Sequence, residues 1–176
     1  ISACLVGSEM CIRDSDNAMP NLRRRIERAL EDETVKIQHE IFEKCAISML
    51  RNLYPNIESV SGGSDGGLDG RLIHGGQIVG ILVTSSRRPE GSTANLRKNL
   101  RSVSKNYPEI ESIVFASLAN VSMKLRKQLE NLASQSGFSL AEVFGREWFT
   151  DQFYNHPEWR TTVSVSYTHL TLPTTP

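Results

Sequence analysis

The chain has no long apolar run and no excess of charge of either sign. No run approaches the roughly 18 apolar residues of a transmembrane helix, so we expect no membrane partner. The 20 basic and 20 acidic residues give a formal net charge of zero, which does not indicate nucleic-acid binding by overall charge. Any such site must be a local basic patch. His39, His74 and His156 are too widely spaced for a zinc motif.

The two ends of the chain differ in character from the rest. Residues 1–15 and 163–176 contain runs that closely resemble translated sequencing adapter, of a kind seen in proteins predicted from environmental DNA assemblies. We therefore expect both segments to be adapter-derived and exclude them from fold reasoning. The remaining residues, 16–162, have the length of one domain.

Cysteine is nearly absent from this expected domain. Cys4 and Cys11 fall in the first of the two end segments, which leaves Cys45 inside an apolar helical pattern. A lone internal cysteine argues against a disulfide scaffold and fits the reducing cytoplasm. We expect it to be a small buried hydrophobic residue.

The most informative stretch runs from Gly62 to Gly70 and places Asp65 and Asp69 among five glycines. Glycine lets the backbone turn sharply and approach a ligand closely. Neighbouring carboxylates repel each other unless a cation or a proton lies between them. The stretch therefore suggests a site for a hard cation, and such a cation beside phosphate suggests phosphoryl chemistry. A simple turn is the alternative, because Asp-Gly and Gly-Gly pairs are ordinary hairpin signals.

Hydrophobic periodicity predicts helices that alternate with strands. An amphipathic helix is expected over Thr34–Leu53, and Arg23 to Arg28 forms either a solvated helix face or a phosphate-facing patch. The later elements are strands at Ile57–Ser61, Arg71–Ile73 and Ile78–Thr84, a polar loop over Arg87–Ser92, a helix over Thr93–Asn106, a strand at Ile113–Ser117, a helix over Val121–Ser136, a strand at Phe138–Val143, and a last helix around Trp148 that Pro157 ends. This order predicts an α/β sandwich with a mixed sheet.

This order and two local motifs resemble the restriction-endonuclease-like nucleases, the PD-(D/E)XK superfamily, over about Val35 to Pro157. The motifs are Glu43 directly after Phe42 and the glycine-rich loop. The chain is similar to bacterial domains with a Gly-Gly-Ser-Asp-x-Gly-x-Asp loop, which are often fused to further modules in defence proteins. The resemblance implies a three-layer sandwich with a central mixed sheet flanked by helices.

The resemblance also implies roles for particular residues. Glu43 and Asp69 would be catalytic and would hold Mg²⁺ or Mn²⁺, helped by a strand carbonyl near Val83 or Thr84. The loop would be supported by Asp65, Gly63 and Gly67.

The third family element is missing from the sequence. The strand should carry an acid or glutamine, one residue, and then lysine, but residues 82–88 read Leu-Val-Thr-Ser-Ser-Arg-Arg. Some branches move the lysine to the following helix, where Lys98 stands, so Lys98 is the expected third catalytic residue. A solvated helix lysine is the alternative. Nucleic-acid backbone contacts are expected from Arg87, Arg88 and Arg97.

We therefore expect a cytoplasmic, Mg²⁺-dependent endonuclease domain whose partner is DNA, natively fused to further domains and compatible with a homodimer. The missing strand lysine leaves a second hypothesis, a catalytically degenerate module that binds nucleic acid or a partner protein. A nucleotide-binding doubly wound fold fits poorly, because the loop lacks the Gly-x-Gly-x-x-Gly fingerprint and its aspartates repel phosphate.

Overall fold

The computed structural model describes residues 22–60 and 67–164. A first helix, α1, covers residues 22–31. The later elements are α2 (His39–Leu50), β1 (Glu58–Ser59), β2 (Gly70–His74), β3 (Gln77–Thr84), α3 (Pro89–Asn106), β4 (Ser112–Ser117), α4 (Met123–Gln135), β5 (Ser139–Phe144), α5 (Arg146–Asn155) and α6 (Pro157–Ser164).

The five strands form one mixed sheet in the order β1-β2-β3-β4-β5. β1, β2 and β3 pair antiparallel, whereas β3, β4 and β5 pair parallel. Gly75 and Gly76 make the β2–β3 turn with φ of 59° and 82°, as tight hairpin turns require. The predicted mixed sheet with an antiparallel start is confirmed.

Helices cover both faces of the sheet, because apolar side chains of β3 point alternately to one face and to the other. Val79, Ile81 and Val83 belong to a core cluster that includes residues of α1, α2 and α5. Leu82 points to the opposite face, where its cluster includes residues of α3 and α4. Side chains of a strand alternate between faces, so an almost continuous apolar strand is buried on both. The result is a helix–sheet–helix arrangement.

Two predicted helix boundaries are wrong at their N-termini. α2 begins at His39 rather than Thr34, because the Thr34 N–H and hydroxyl both donate to Asp32 Oδ1 and hold a turn there. α3 begins at Pro89 rather than Thr93, so the predicted loop over Arg87–Ser92 is partly helical. Proline suits a first helical position because its fixed φ is helical and its missing N–H has no partner to lose.

The C-terminal helices also differ in extent from the prediction. α5 ends at Asn155 before Pro157, as expected, but Pro157 then begins the further helix α6. Within the described residues, none of the helices combines the length and the apolar character needed to cross a membrane.

Candidate active site

Asp69 is held by hydrogen bonds where the first three strands meet. Its backbone N–H donates to the Ile81 carbonyl at 3.0 Å, and its own carbonyl accepts from the Val60 N–H at 3.1 Å. Its side-chain Oδ2 accepts from the Val83 N–H at 2.6 Å. Backbone pairing between β2 and β3 ends at Gly70 and Ile81. The Asp69 carboxylate therefore accepts a hydrogen bond from a residue of β3 that has no backbone partner in β2.

Two glycines let the segment before β2 approach its neighbours closely. Gly67 has φ of 83°, and a Cβ there would lie 3.2 Å from Asn99 Oδ1 on α3. Leu68 is fully buried, and a Cβ on Gly80 would lie 2.9 Å from its Cδ1. Leu68 therefore anchors the segment in the core, and the small size of Gly80 makes room for it. Asp69 follows directly and is fixed by this anchor.

Glu43 is positioned by a histidine one turn earlier on α2. His39 Nε2 lies 2.9 Å from Glu43 Oε1, and His39 Nδ1 lies 3.2 Å from the Ser85 hydroxyl just after β3. The Glu43 side chain is 26% exposed, because Phe42 beside it is fully buried and sets the inward face of the helix. Glu43 is therefore a partly buried residue at the edge of the inward face of α2.

Glu43, Asp69 and Lys98 line one cleft of about 500 Å³. The cleft lies between α2 and α3, beside Val83 near the end of β3. The lining is mostly polar, and α3 contributes Asn95, Lys98, Asn99, Ser102 and Asn106. Three residues that the sequence analysis selected as a catalytic set are thus brought together from distant parts of the chain.

The donors in this cleft fit a hard divalent cation. Among residues 22–60 and 67–164, no three His, Cys, Asp or Glu side chains form a group that could hold a metal ion. Glu43 and Asp69 supply two carboxylates to one space. Mg²⁺ is usually bound by one or two protein carboxylates together with substrate phosphates and several waters, so Glu43 and Asp69 match the number of carboxylates and those further ligands would complete the site.

Thr84 and Arg97 do not line the cleft. Thr84 is buried at the end of β3, and its hydroxyl accepts a hydrogen bond from the Ser86 N–H at 3.3 Å. Val83, the other residue proposed to offer a strand carbonyl, does line the cleft. Arg97 lies on the other side of α3, in a shallow groove of about 370 Å³ between α3 and α4.

Arg87 and Arg88 are both engaged in contacts within the protein. Arg87 donates to the carbonyls of Leu30 at 2.9 Å and Val35 at 2.7 Å, which ties the segment between α1 and α2 to the end of β3. Arg88 forms a bidentate pair with Glu33. This hydrogen-bonded pair lowers the pKa of Glu33. Neither arginine lines the cleft.

The remaining predicted loop residues, Asp65 and Gly63, lie outside the described residues. Gly67 is described, and it has a positive φ and lies close to α3.

Sequence reasoning missed two parts of the cleft. The first is His39, although its spacing of four residues from Glu43 places both on one helix face. The second is the polar side of α3 formed by Asn95, Asn99, Ser102 and Asn106. All four lie within the predicted helix Thr93–Asn106, and their spacing of three or four residues places them on one face of it.

Comparisons with known proteins add no family assignment. Neither the comparison with protein-family models nor the comparison with curated proteins finds a match.

Proposed function

We propose that the chain is a divalent-metal-dependent nuclease domain with a restriction-endonuclease-like fold, and that it hydrolyses phosphodiester bonds in DNA. The observation that carries the proposal is the cleft shared by Glu43, Asp69 and Lys98. Two carboxylates and an amine at one polar site are the groups that this hydrolysis requires, because phosphate charge must be neutralised while water attacks. The mixed sheet flanked by helices supports the fold part of the proposal.

Glu43 and Asp69 would hold Mg²⁺ or Mn²⁺. A cation held there supplies positive charge to the phosphate and makes water easier to deprotonate. The protein keeps both carboxylates in place, since Val83 donates to Asp69 and His39 lies within hydrogen-bonding distance of Glu43. Ser85 in turn lies within hydrogen-bonding distance of His39, so the end of β3 contributes to the orientation of both carboxylates.

Lys98 would stabilise the negative charge that grows on the phosphate. Its side chain is exposed on the cleft side of α3, and no carboxylate in the described part of the chain forms an ion pair with it. In the reaction, the attacking water loses a proton to solvent as its oxygen bonds to phosphorus, the bond from phosphorus to the sugar oxygen breaks, and that sugar oxygen takes up a proton from solvent water. Lys98 would supply a compact positive charge for this step from helix α3 rather than from the strand that usually carries the lysine in the family.

The alternative is a catalytically degenerate module that binds nucleic acid or a partner protein. The observation that favours it is the end of β3, where Thr84 and Ser85 stand in the region in which the family carries an acid and a lysine. The two proposals differ in whether the cleft performs chemistry, so cleavage distinguishes them.

The test is nicking of supercoiled plasmid by the full 176-residue chain with Mg²⁺ or Mn²⁺, and with chelator. We expect metal-dependent nicking that is lost in Asp69→Asn and strongly reduced in Lys98→Ala. Lys127→Ala is the matched control, because Lys127 is an exposed helix lysine on α4. Absence of nicking by the folded wild-type chain under all these conditions would contradict hydrolysis and support the degenerate module.

A further inference from the structure

The outer face of α3 carries a run of basic side chains of which the proposed chemistry uses only Lys98. At about 100° per residue, Lys98, Arg101 and Lys105 lie on one side of the helix. All three are exposed, and no described carboxylate forms an ion pair with them. Glu90 is the one acidic residue among the 18 of α3, and it lies in the first turn.

This basic run borders the cleft directly. The buried side of α3 is formed by Ser92, Leu96, Leu100 and Val103. The next side around the helix is the polar cleft wall that includes Asn99 and Ser102, and the basic run follows it. Going around α3 from the core, the surface therefore changes from apolar to neutral polar and then to positive.

The two walls of the cleft carry charges of opposite sign, and this difference determines on which side a phosphate can lie. Glu43 and Asp69 repel phosphate on one wall, whereas Lys98 attracts it on the other. Arg101 and Lys105 extend this positive charge along α3 beyond the edge of the cleft. The chain as a whole has no net charge, so attraction for a polyanion must come from local basic patches, of which this run is the one that borders the cleft. The run from Lys98 to Lys105 covers about 10 Å of helix, comparable to about three base-pair steps of DNA.

We propose that the outer face of α3 binds the sugar-phosphate backbone of duplex DNA, with Arg101 and Lys105 on phosphates and the cleft wall beside the strand to be cut. This inference rests on the proposed nuclease function and names the surface that presents its substrate. The sequence analysis expected backbone contacts from Arg87 and Arg88, but Arg87 donates to backbone carbonyls and Arg88 pairs with Glu33. We assign the phosphate contacts to Arg101 and Lys105 instead. Contacts of this kind fix the position of the duplex and do not read its sequence.

The experiment measures DNA affinity separately from cleavage. Binding of a short labelled duplex to the full chain is followed by fluorescence anisotropy over a series of salt concentrations, with chelator present so that no cutting occurs. The test variant is Arg101→Gln/Lys105→Gln. The matched control is Lys124→Gln/Lys127→Gln, which removes the same charge from exposed positions of α4.

We expect the slope of log affinity against log salt to fall by about two in the test variant and to stay unchanged in the control. Equal slopes for wild type and the test variant, or an equal fall in the control, would overturn the inference. If the wild type nicks plasmid but the test variant has an unchanged salt slope, the proposed hydrolysis stands and the α3 surface is rejected. If the salt slope falls in the test variant but the wild type does not nick plasmid, the α3 surface stands and hydrolysis is rejected.

Discussion

The Asp69 carboxylate accepts a hydrogen bond from the backbone N–H of Val83, with 2.6 Å between Oδ2 and N. This contact joins the segment before β2 to the end of β3, beyond the point where the two strands pair. A carboxylate that accepts a backbone N–H is fixed in orientation, and Asp69 is fixed on the side of the sheet where the cleft opens. The position of the site therefore depends on how this segment is anchored.

Gly67→Ala is expected to impair both stability and cleavage. Gly67 has φ of 83°, a conformation that destabilises the folded state by roughly 1–2 kcal/mol when the residue is not glycine. A Cβ at this position would also press on Asn99. Gly75→Ala is the matched control, because Gly75 has φ of 59° and open space around it. Chemical denaturation should show a loss in both variants, whereas plasmid nicking should fall only in Gly67→Ala. Equal nicking by both would show that the contact with α3 does not position Asp69.

His39→Ala is expected to lower the nicking rate while leaving DNA affinity unchanged. The His39 imidazole lies within hydrogen-bonding distance of Glu43 and Ser85 and is not part of the basic run on α3. Its loss should therefore slow the chemical step rather than weaken DNA binding. His156→Ala is the control, because His156 also pairs with a glutamate, at 3.2 Å from Glu158, on a different part of the chain. Single-turnover nicking and duplex anisotropy separate the two effects. A weaker affinity with an unchanged rate would contradict the orienting role.

Arg87→Ala is expected to destabilise the fold rather than weaken DNA binding. It removes two charge-assisted hydrogen bonds to the carbonyls of Leu30 and Val35, a loss of about 1–3 kcal/mol. Arg88→Ala is the control, since its pair with Glu33 is largely exposed and should contribute little. Denaturant unfolding gives the free energies, and the salt slope of DNA binding reports phosphate contacts. A smaller salt slope in Arg87→Ala would restore its predicted phosphate role.

Cys45 is expected to react slowly with thiol reagents in the folded chain. Burial raises the pKa of its thiol, because the charged thiolate is poorly solvated there. A raised folded-state pKa means that the stability due to this group is present below the unfolded pKa and is lost as pH rises through the folded value. In a Cys4→Ser/Cys11→Ser variant, labelling at mildly alkaline pH should be slow until denaturant is added. Fast labelling of the folded variant would show that Cys45 is accessible.

The sheet was predictable from sequence because its strands carry a strong local signal. The apolar runs that became β3 and β4 are buried on both faces, and the glycines at positions 75 and 76 specify the hairpin. The pairing of Glu43 with Asp69 in one cleft came from the family resemblance, which periodicity alone does not supply.

The contacts of Arg87 and the start of α3 could not be predicted from local sequence patterns. Arg87 resembles a phosphate ligand in sequence, but its partners, Leu30 and Val35, precede it by more than 50 residues. The start of α3 looked like a loop because it contains Pro89 and Gly91. A Cβ on Gly91 would lie 2.2 Å from Ser86 Oγ, so a larger residue there would require the Ser86 hydroxyl to rotate away.

The central claim is that Glu43 and Asp69, on different elements, form one metal site. Titration of Mn²⁺ into the full chain, followed by calorimetry, tests it most directly with Glu43→Gln, Asp69→Asn and the control Glu130→Gln, an exposed position on α4. We predict one binding event in the wild type and the control that is lost in both cleft variants. Retention of that event in both Glu43→Gln and Asp69→Asn would contradict the claim.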